Sequence, residues 1–136
     1  MNVEPLYRGK RLGDGKWVYG CLFSHSKDTE YEGAYILYDL EPHKCGLEVL
    51  KCKVDPKTIG QYTGKDDIYG VKVFTDDIIE YSLQGPYPGP EYRIKKVGPV
   101  IFSDYCFMPL TFCVPDSIVV KGNIHDNSDL YIKKDG

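Results

Sequence analysis

Few residues in this 136-residue chain fall into spacings that carry chemistry. Nucleophilic catalysis needs a hydroxyl or thiol with a base in hydrogen-bond reach. The three histidines, His25, His43 and His125, sit in no nucleophile-elbow or Cys–His signature. His125 adjoins Asp126, but neighbours on one backbone point apart, so the segment reads as a solvated turn. Carboxylates gather at Asp66-Asp67 and Asp76-Asp77. Magnesium takes oxygen ligands, yet neither pair comes with a third ligand or a phosphate-binding loop. Asp67-Ile68-Tyr69-Gly70 reads as a tight hairpin turn. A zinc set assembled from His43, Cys45 and Cys52, with Cys21 and His25, lacks the closely spaced ligand pairs that structural zinc prefers. The five cysteines, which include Cys106 and Cys113, form no C-x-x-C pair and read as small buried hydrophobes. Neither glycine-rich nucleotide motif, G-x-x-x-x-G-K-[ST] or G-x-G-x-x-G, is present. No enzyme, metal or cofactor is expected.

Binding chemistry has better material. Tyr92, Arg93, Lys95 and Lys96 would set an aromatic ring beside three cations, the combination small β-barrels use on single-stranded nucleic acid. A basic strand also discourages sheet-to-sheet aggregation and needs no ligand to explain it. Arg8, Lys10, Arg11 and Lys16 form a second basic set. Twelve Tyr, five Phe and one Trp make the chain rich in side chains that suit protein interfaces. Trp17, Tyr19, Tyr62, Tyr81 and Tyr92 are the candidates. Seventeen basic against twenty acidic residues give a net charge of -3, too mild for a nucleic-acid sink or an acidic tail.

The elements that must position these residues are strands. Helix-period patterns are scarce, and 28–40 has three tyrosines and a glycine, a poor helix composition. Lys16 to Phe23, Ala34 to Tyr38 and Leu47 to Cys52 are rich in aromatic and branched residues. Turns are expected at Gly13 to Gly15 and at Glu41 to Gly46. Later strands are expected at Val71 to Phe74, Asp77 to Ser82, Glu91 to Val97 and Ser117 to Lys121. A turn is placed at Ser103-Asp104, and one helical turn at Asn127 to Tyr131. Gln84 to Pro90, with three prolines and two glycines, reads as an exposed hairpin tip and the place where disorder is most expected. Spacing of this kind points to antiparallel sheet. The N-terminus lacks the order of a signal peptide, and no run nears the roughly 18 apolar residues of a membrane helix. A soluble, cytoplasmic protein without membrane contact is expected.

Three segments carry a family resemblance. They are Trp17-Val18-Tyr19-Gly20 after Tyr7-Arg8-Gly9; the stretch from Val54 to Ile79 with Gly60-Gln61-Tyr62-Thr63-Gly64 at its centre; and Ile118 to Asn127 with Gly122-Asn123-Ile124. In this order the chain resembles the YopX family, found largely in bacteriophages and prophages. Where the family commonly has Glu-Gly before the aspartate matched by Asp77, this chain has Thr75-Asp76, and Ser128 stands where proline is frequent. The resemblance implies a mostly β protein with an SH3-like barrel in its C-terminal half. The motif glycines Gly60, Gly64, Gly70 and Gly122 suit turns or close backbone approach. Thr58, Gln61, Thr63 and Asn123 are placed to satisfy backbone groups.

The expectation is therefore a mainly β, antiparallel protein in two parts, 1–64 and 65–136, the second a small SH3-like barrel. Its function is expected to be non-enzymatic: a phage or prophage accessory protein that binds a host or phage protein. The alternative is nucleic-acid binding through Tyr92, Arg93, Lys95 and Lys96. Self-association into a homo-oligomer is expected through the hydrophobic strands Val71 to Phe74 and Ile118 to Val120.

Overall fold

The computed structural model describes residues 6–25, 33–103 and 105–127. The side chains of His25 and His43, the turn residue Asp104 and the helical turn expected beyond Asn127 lie outside the described residues. The chain divides into two compact units, Met1–Tyr62 and Thr63–Gly136, two residues before the boundary expected from the sequence.

In the first unit the aromatic and β-branched runs become strands β1 (Tyr7–Lys10), β2 (Trp17–His25), β3 (Gly33–His43) and β4 (Gly46–Val54), and β5 (Gly60–Asp66) begins there. All pair antiparallel in the order β4-β3-β2-β1-β5. The turn at Gly13 to Gly15 closes as expected: Gly15 donates its N–H to the Arg11 carbonyl at 2.8 Å, and Arg11 to that of Lys16 at 2.9 Å. The β3–β4 turn is tighter than the expected Glu41–Gly46 span, because β3 runs to His43 and β4 starts at Gly46. The sheet curls until β4 reaches the end of β1. Arg11 bridges Val54, Leu12 donates to the Lys53 carbonyl (3.1 Å) and Asp55 to that of Lys10 (2.8 Å). Inside the curl lie Ala34, Ile36 and Val54, ringed by Tyr7, Val18, Cys52 and Ile59. Gly20 is required on this inner face: a Cβ there would stand 1.8 Å from the Leu37 carbonyl oxygen.

The second unit holds β6 (Lys72–Phe74), β7 (Asp77–Gln84), β8 (Arg93–Pro99), β9 (Ile101–Ser103), β10 (Cys106–Met108) and β11 (Val119–Asn123). Its core is Val73, Ile79, Val100, Leu110, Cys113 and Ile118. Strands β11, β7 and β8 make one sheet in that order, and β9–β10 a separate hairpin. The fold is mainly β, with three short 3-10 turns and no α-helix among the described residues. The barrel expected here is corrected: the sheets are not closed. Strands β9 and β10 are only three residues long, and the segment after them carries Pro109 and Pro115, which lack the N–H that a continuing ladder needs.

Polar side chains tie this unit together internally. Asp67 is buried, and its carboxylate accepts from the N–H groups of Tyr69 (2.8 Å), Val71 (2.9 Å) and Val120 (3.0 Å). Burial pushes this carboxyl up, but the three backbone donors together outweigh it and hold it below the usual carboxylate range. The turn that Asp67 and Gly70 were expected to form is present, with Gly70 at φ +81°. Asp77, also buried, accepts from the Phe74 N–H at 2.7 Å. The Asn123 side chain accepts from the N–H groups of His125 and Asp126 at 3.0 and 2.8 Å. Thr58 and Thr63 act as expected: in the first unit Thr58 Oγ1 takes the Lys10 N–H (2.8 Å), and in the second Thr63 Oγ1 donates to the Val73 carbonyl (2.8 Å). Gly60 is a strand residue opposite Arg8, not a turn.

Candidate functional site

Sequence reasoning placed its binding residues at the β7–β8 hairpin. Gln84 to Pro90, where disorder was expected, is a tied tip: Gln84 Nε2 donates to the carbonyls of Tyr87 (2.7 Å) and Gly89 (3.1 Å), and Gly85 donates to that of Tyr92 (2.9 Å). Three prolines already restrict this loop before folding, so a few bonds suffice to order it. Tyr92 lies in a 3-10 turn with its ring against Tyr87, centroids 5.2 Å apart. Arg93, Lys95 and Lys96 are all exposed on β8, the edge of its sheet.

Register separates them. Arg93 and Lys95 stand opposite Gln84 and Ser82, on the face that also carries Glu80. Lys96 and Ile94 stand opposite Tyr81 and Leu83, on the face whose β7 residues pack toward the core. Lys95 Nζ lies 3.5 Å from one Glu80 oxygen, and Lys121 Nζ lies 3.9 Å from the other. The four residues therefore do not share one surface, and one of their three cations already has a carboxylate beside it.

A second surface, missed as a unit, lies on the outer face of β1–β4. Arg8 and Lys10 stand opposite Tyr19 and Trp17. The buried Arg8 guanidinium sits 4.6 Å from the Trp17 ring centroid, and Lys10 Nζ sits 5.5 Å from it. Two residues beyond Cys21 on the same face, Phe23 meets Tyr35 with centroids 6.2 Å apart. Tyr35 stands opposite Lys53, and Leu37 opposite Lys51. Lys53 lies against Gly33, where a Cβ would come within 2.5 Å of its side chain. The signal was present as spacing by two: Trp17-x-Tyr19-x-x-x-Phe23, Arg8-x-Lys10 and Lys51-x-Lys53. Of the other basic residues named near the N-terminus, Arg11 pairs with Asp14 inside its turn.

The remaining candidates are dispersed. His125 meets Asp76, at 3.3 Å, and not its neighbour Asp126, whose carboxylate accepts from Asn123. Among the described residues, no group of three or more His, Cys, Asp or Glu side chains is placed to hold a metal. Cys113 is buried, while Cys45, also expected inside, is exposed on the β3–β4 turn. Burial pushes the Cys52 and Cys113 thiols up, away from the reactive thiolate. Val73, Phe74 and Ile118, expected to pair with another copy, have their side chains in the interior. No described helix is long and apolar enough to cross a membrane.

Exposed apolar side chains collect on the β9–β10 hairpin. Phe102 packs on Phe107 with centroids 5.1 Å apart, and Phe107 packs on the unit's core. Ile101, Phe102 and the tip residue Tyr105 are 49%, 57% and 97% exposed.

The chain is similar over 94% of its length to the crystal structure of protein EF1440 from Enterococcus faecalis, of which it covers 98%, with a TM-score of 0.57 and 22% identity. That likeness concerns the fold alone. No curated protein matches the chain. The family model for the YopX protein matches residues 6–131, nearly the whole length, and takes in all three motif segments. The chain belongs to the YopX family.

Proposed function

We propose that this is a non-enzymatic binding protein, a phage or prophage accessory factor that docks a host or phage protein through the β9–β10 hairpin. One observation carries the reading: a short hairpin anchored inward by Phe107 holds Ile101, Phe102 and Tyr105 out to solvent. Tyr105 does so at φ +64°, a backbone state that costs a bulky residue about 1–2 kcal/mol. Covering the Phe102 ring alone would contribute up to about 2 kcal/mol to association. Aromatic side chains with one polar end suit such a contact.

The test compares wild type with the double variant Phe102→Glu, Tyr105→Glu as bait in a bacterial lysate. A protein retained by wild type and lost by the variant supports the reading. The same set retained by both would sink it. Light scattering of the pure protein identifies the case in which the partner is a second copy: the mass then rises above 15.5 kDa with concentration in wild type and stays constant in the variant.

A further inference from the structure

The two faces of the curled sheet carry opposite charge. Every Lys and Arg within β1–β4 (Arg8, Lys10, Lys51, Lys53) falls on the outer face. Every Asp and Glu within these strands (Asp39, Glu41, Glu48) falls on the inner-face positions, opposite or in line with Leu50. A one-residue bulge between Leu37 and Asp39 is what turns Asp39 and Glu41 away from the lysines. The protein as a whole is acidic, so this face runs against its net charge. Between the cations lie Trp17, Tyr19, Phe23 and Tyr35, the first two spaced by two residues on one strand. Tyr19 and Phe23 are about two-fifths exposed, and Lys51 and Lys53 are exposed.

We infer that the outer face of β1–β4 binds single-stranded nucleic acid, its rings stacking bases and Lys10, Lys51 and Lys53 meeting the phosphates. Rings two residues apart on a strand are about 6.8 Å apart, roughly twice the 3.4 Å spacing of bases in a duplex strand. Such a ladder fits an extended strand with splayed bases and leaves no room for stacked pairs. Stacking on a sheet surface tolerates any base, because every base has a π-face. Arg8, buried behind Trp17, serves by fixing that ring and adding positive potential beneath it. An acidic protein segment would meet the lysines equally well but would bring no planar groups to the rings.

Trp17 is the only tryptophan in the chain, so its fluorescence reports this face directly. The full chain is titrated with a thymidine oligomer of about 20 nucleotides, with the same length of duplex and with polyglutamate, at low and moderate salt. The expected result is Trp17 quenching by the oligomer at micromolar concentration, weaker quenching by duplex and none by polyglutamate. Three phosphates neutralised on a single strand give a log–log salt slope near about -2. Lys51→Glu with Lys53→Glu should weaken binding by about tenfold or more. Lys95→Glu with Lys96→Glu should change it less than about twofold. All four positions are exposed, so both double variants keep the fold. An oligomer that leaves Trp17 unquenched overturns the inference. So does polyglutamate or duplex that binds as tightly as the single strand, or an affinity that follows Lys95 and Lys96 instead of Lys51 and Lys53.

Discussion

The outer face of β1–β4 and the sheet β11-β7-β8 both display cations on strands, but they keep them in different company. In the first, charges are sorted by face: lysines and Arg8 outward, Asp39, Glu41 and Glu48 on the other side. In the second, Glu80 sits between Lys95 and Lys121, and consecutive Lys95 and Lys96 point to opposite faces. The carboxylates of the second unit are also used differently, because Asp67 and Asp77 turn inward onto backbone N–H groups. A basic run in a sequence is therefore a poor guide to a basic surface. Parity along the strand and the sign of cross-strand neighbours decide whether the charges add.

The largest effect expected from this contrast lies at Asp67, since an architectural carboxylate should cost stability when a displayed lysine costs none. Asp67→Ala leaves three N–H groups without their acceptor, and urea unfolding should show a loss of about 3 kcal/mol. Lys51→Ala and Lys53→Ala should each stay within about 0.5 kcal/mol. The pH dependence has a definite sign. Because the folded carboxyl is held below its ordinary value, its contribution is complete above about pH 4 and declines as pH falls through the folded value. The stability gap between wild type and Asp67→Asn should shrink on acidification below that pH. A gap that stays constant down to pH 2 would mean the three N–H bonds favour no charge.

A mirrored pair of substitutions probes the charge sorting itself. Val49 is 43% exposed on the outer face, two residues from Lys51, so Val49→Glu sets a carboxylate among the lysines. It should weaken oligonucleotide binding by about 1 kcal/mol, roughly fivefold, through charge alone. Glu80→Gln does the reverse in the other sheet and releases Lys95 and Lys121. Exposed pairs of this kind contribute less than about 1 kcal/mol, so stability should drop only slightly. Affinity should stay within about twofold, since Lys96 still faces away from Lys95. If Glu80→Gln creates tight oligonucleotide binding, sign and not parity separates the two regions.

The sequence showed where strands would form but little of how they meet. Trp17 to Phe23 and Ala34 to Tyr38 were legible because aromatic and branched residues favour a pleated surface whatever their partners. The Asp67–Gly70 turn was legible because its chemistry is complete within four residues. Whether sheets close was not, since closure depends on pairing between distant segments, and Pro109 and Pro115 matter only once the ladder they interrupt is known. The outer face failed to appear for the same reason. Arg8, Trp17, Tyr35 and Lys53 come from four strands and converge only through the registers of β1 with β2, β2 with β3, and β3 with β4. Tyr92 to Lys96 drew notice because they are contiguous, and contiguity on a strand is what divides residues between faces.

The smallest expected effect concerns Asp76, whose carboxylate lies 3.3 Å from His125 Nε2. It occupies φ +72° at the β6–β7 turn, in the left-handed region that favours glycine. Two contributions oppose each other when it is changed. Glycine relieves the left-handed backbone, worth about 1 kcal/mol, but gains a similar freedom in the unfolded chain. The contact with His125, partly exposed, adds a few tenths of a kcal/mol at most. Asp76→Gly should therefore leave stability within about 0.5 kcal/mol of wild type. Asp76→Ala loses the same contact and keeps the backbone penalty, so it should fall about 1 kcal/mol below Asp76→Gly. Denaturant midpoints of the two variants measure that difference. Equal midpoints would show that the turn relaxes out of the left-handed region, leaving Asp76 as displayed as the lysines of β4, with only its side chain to account for its place opposite His125.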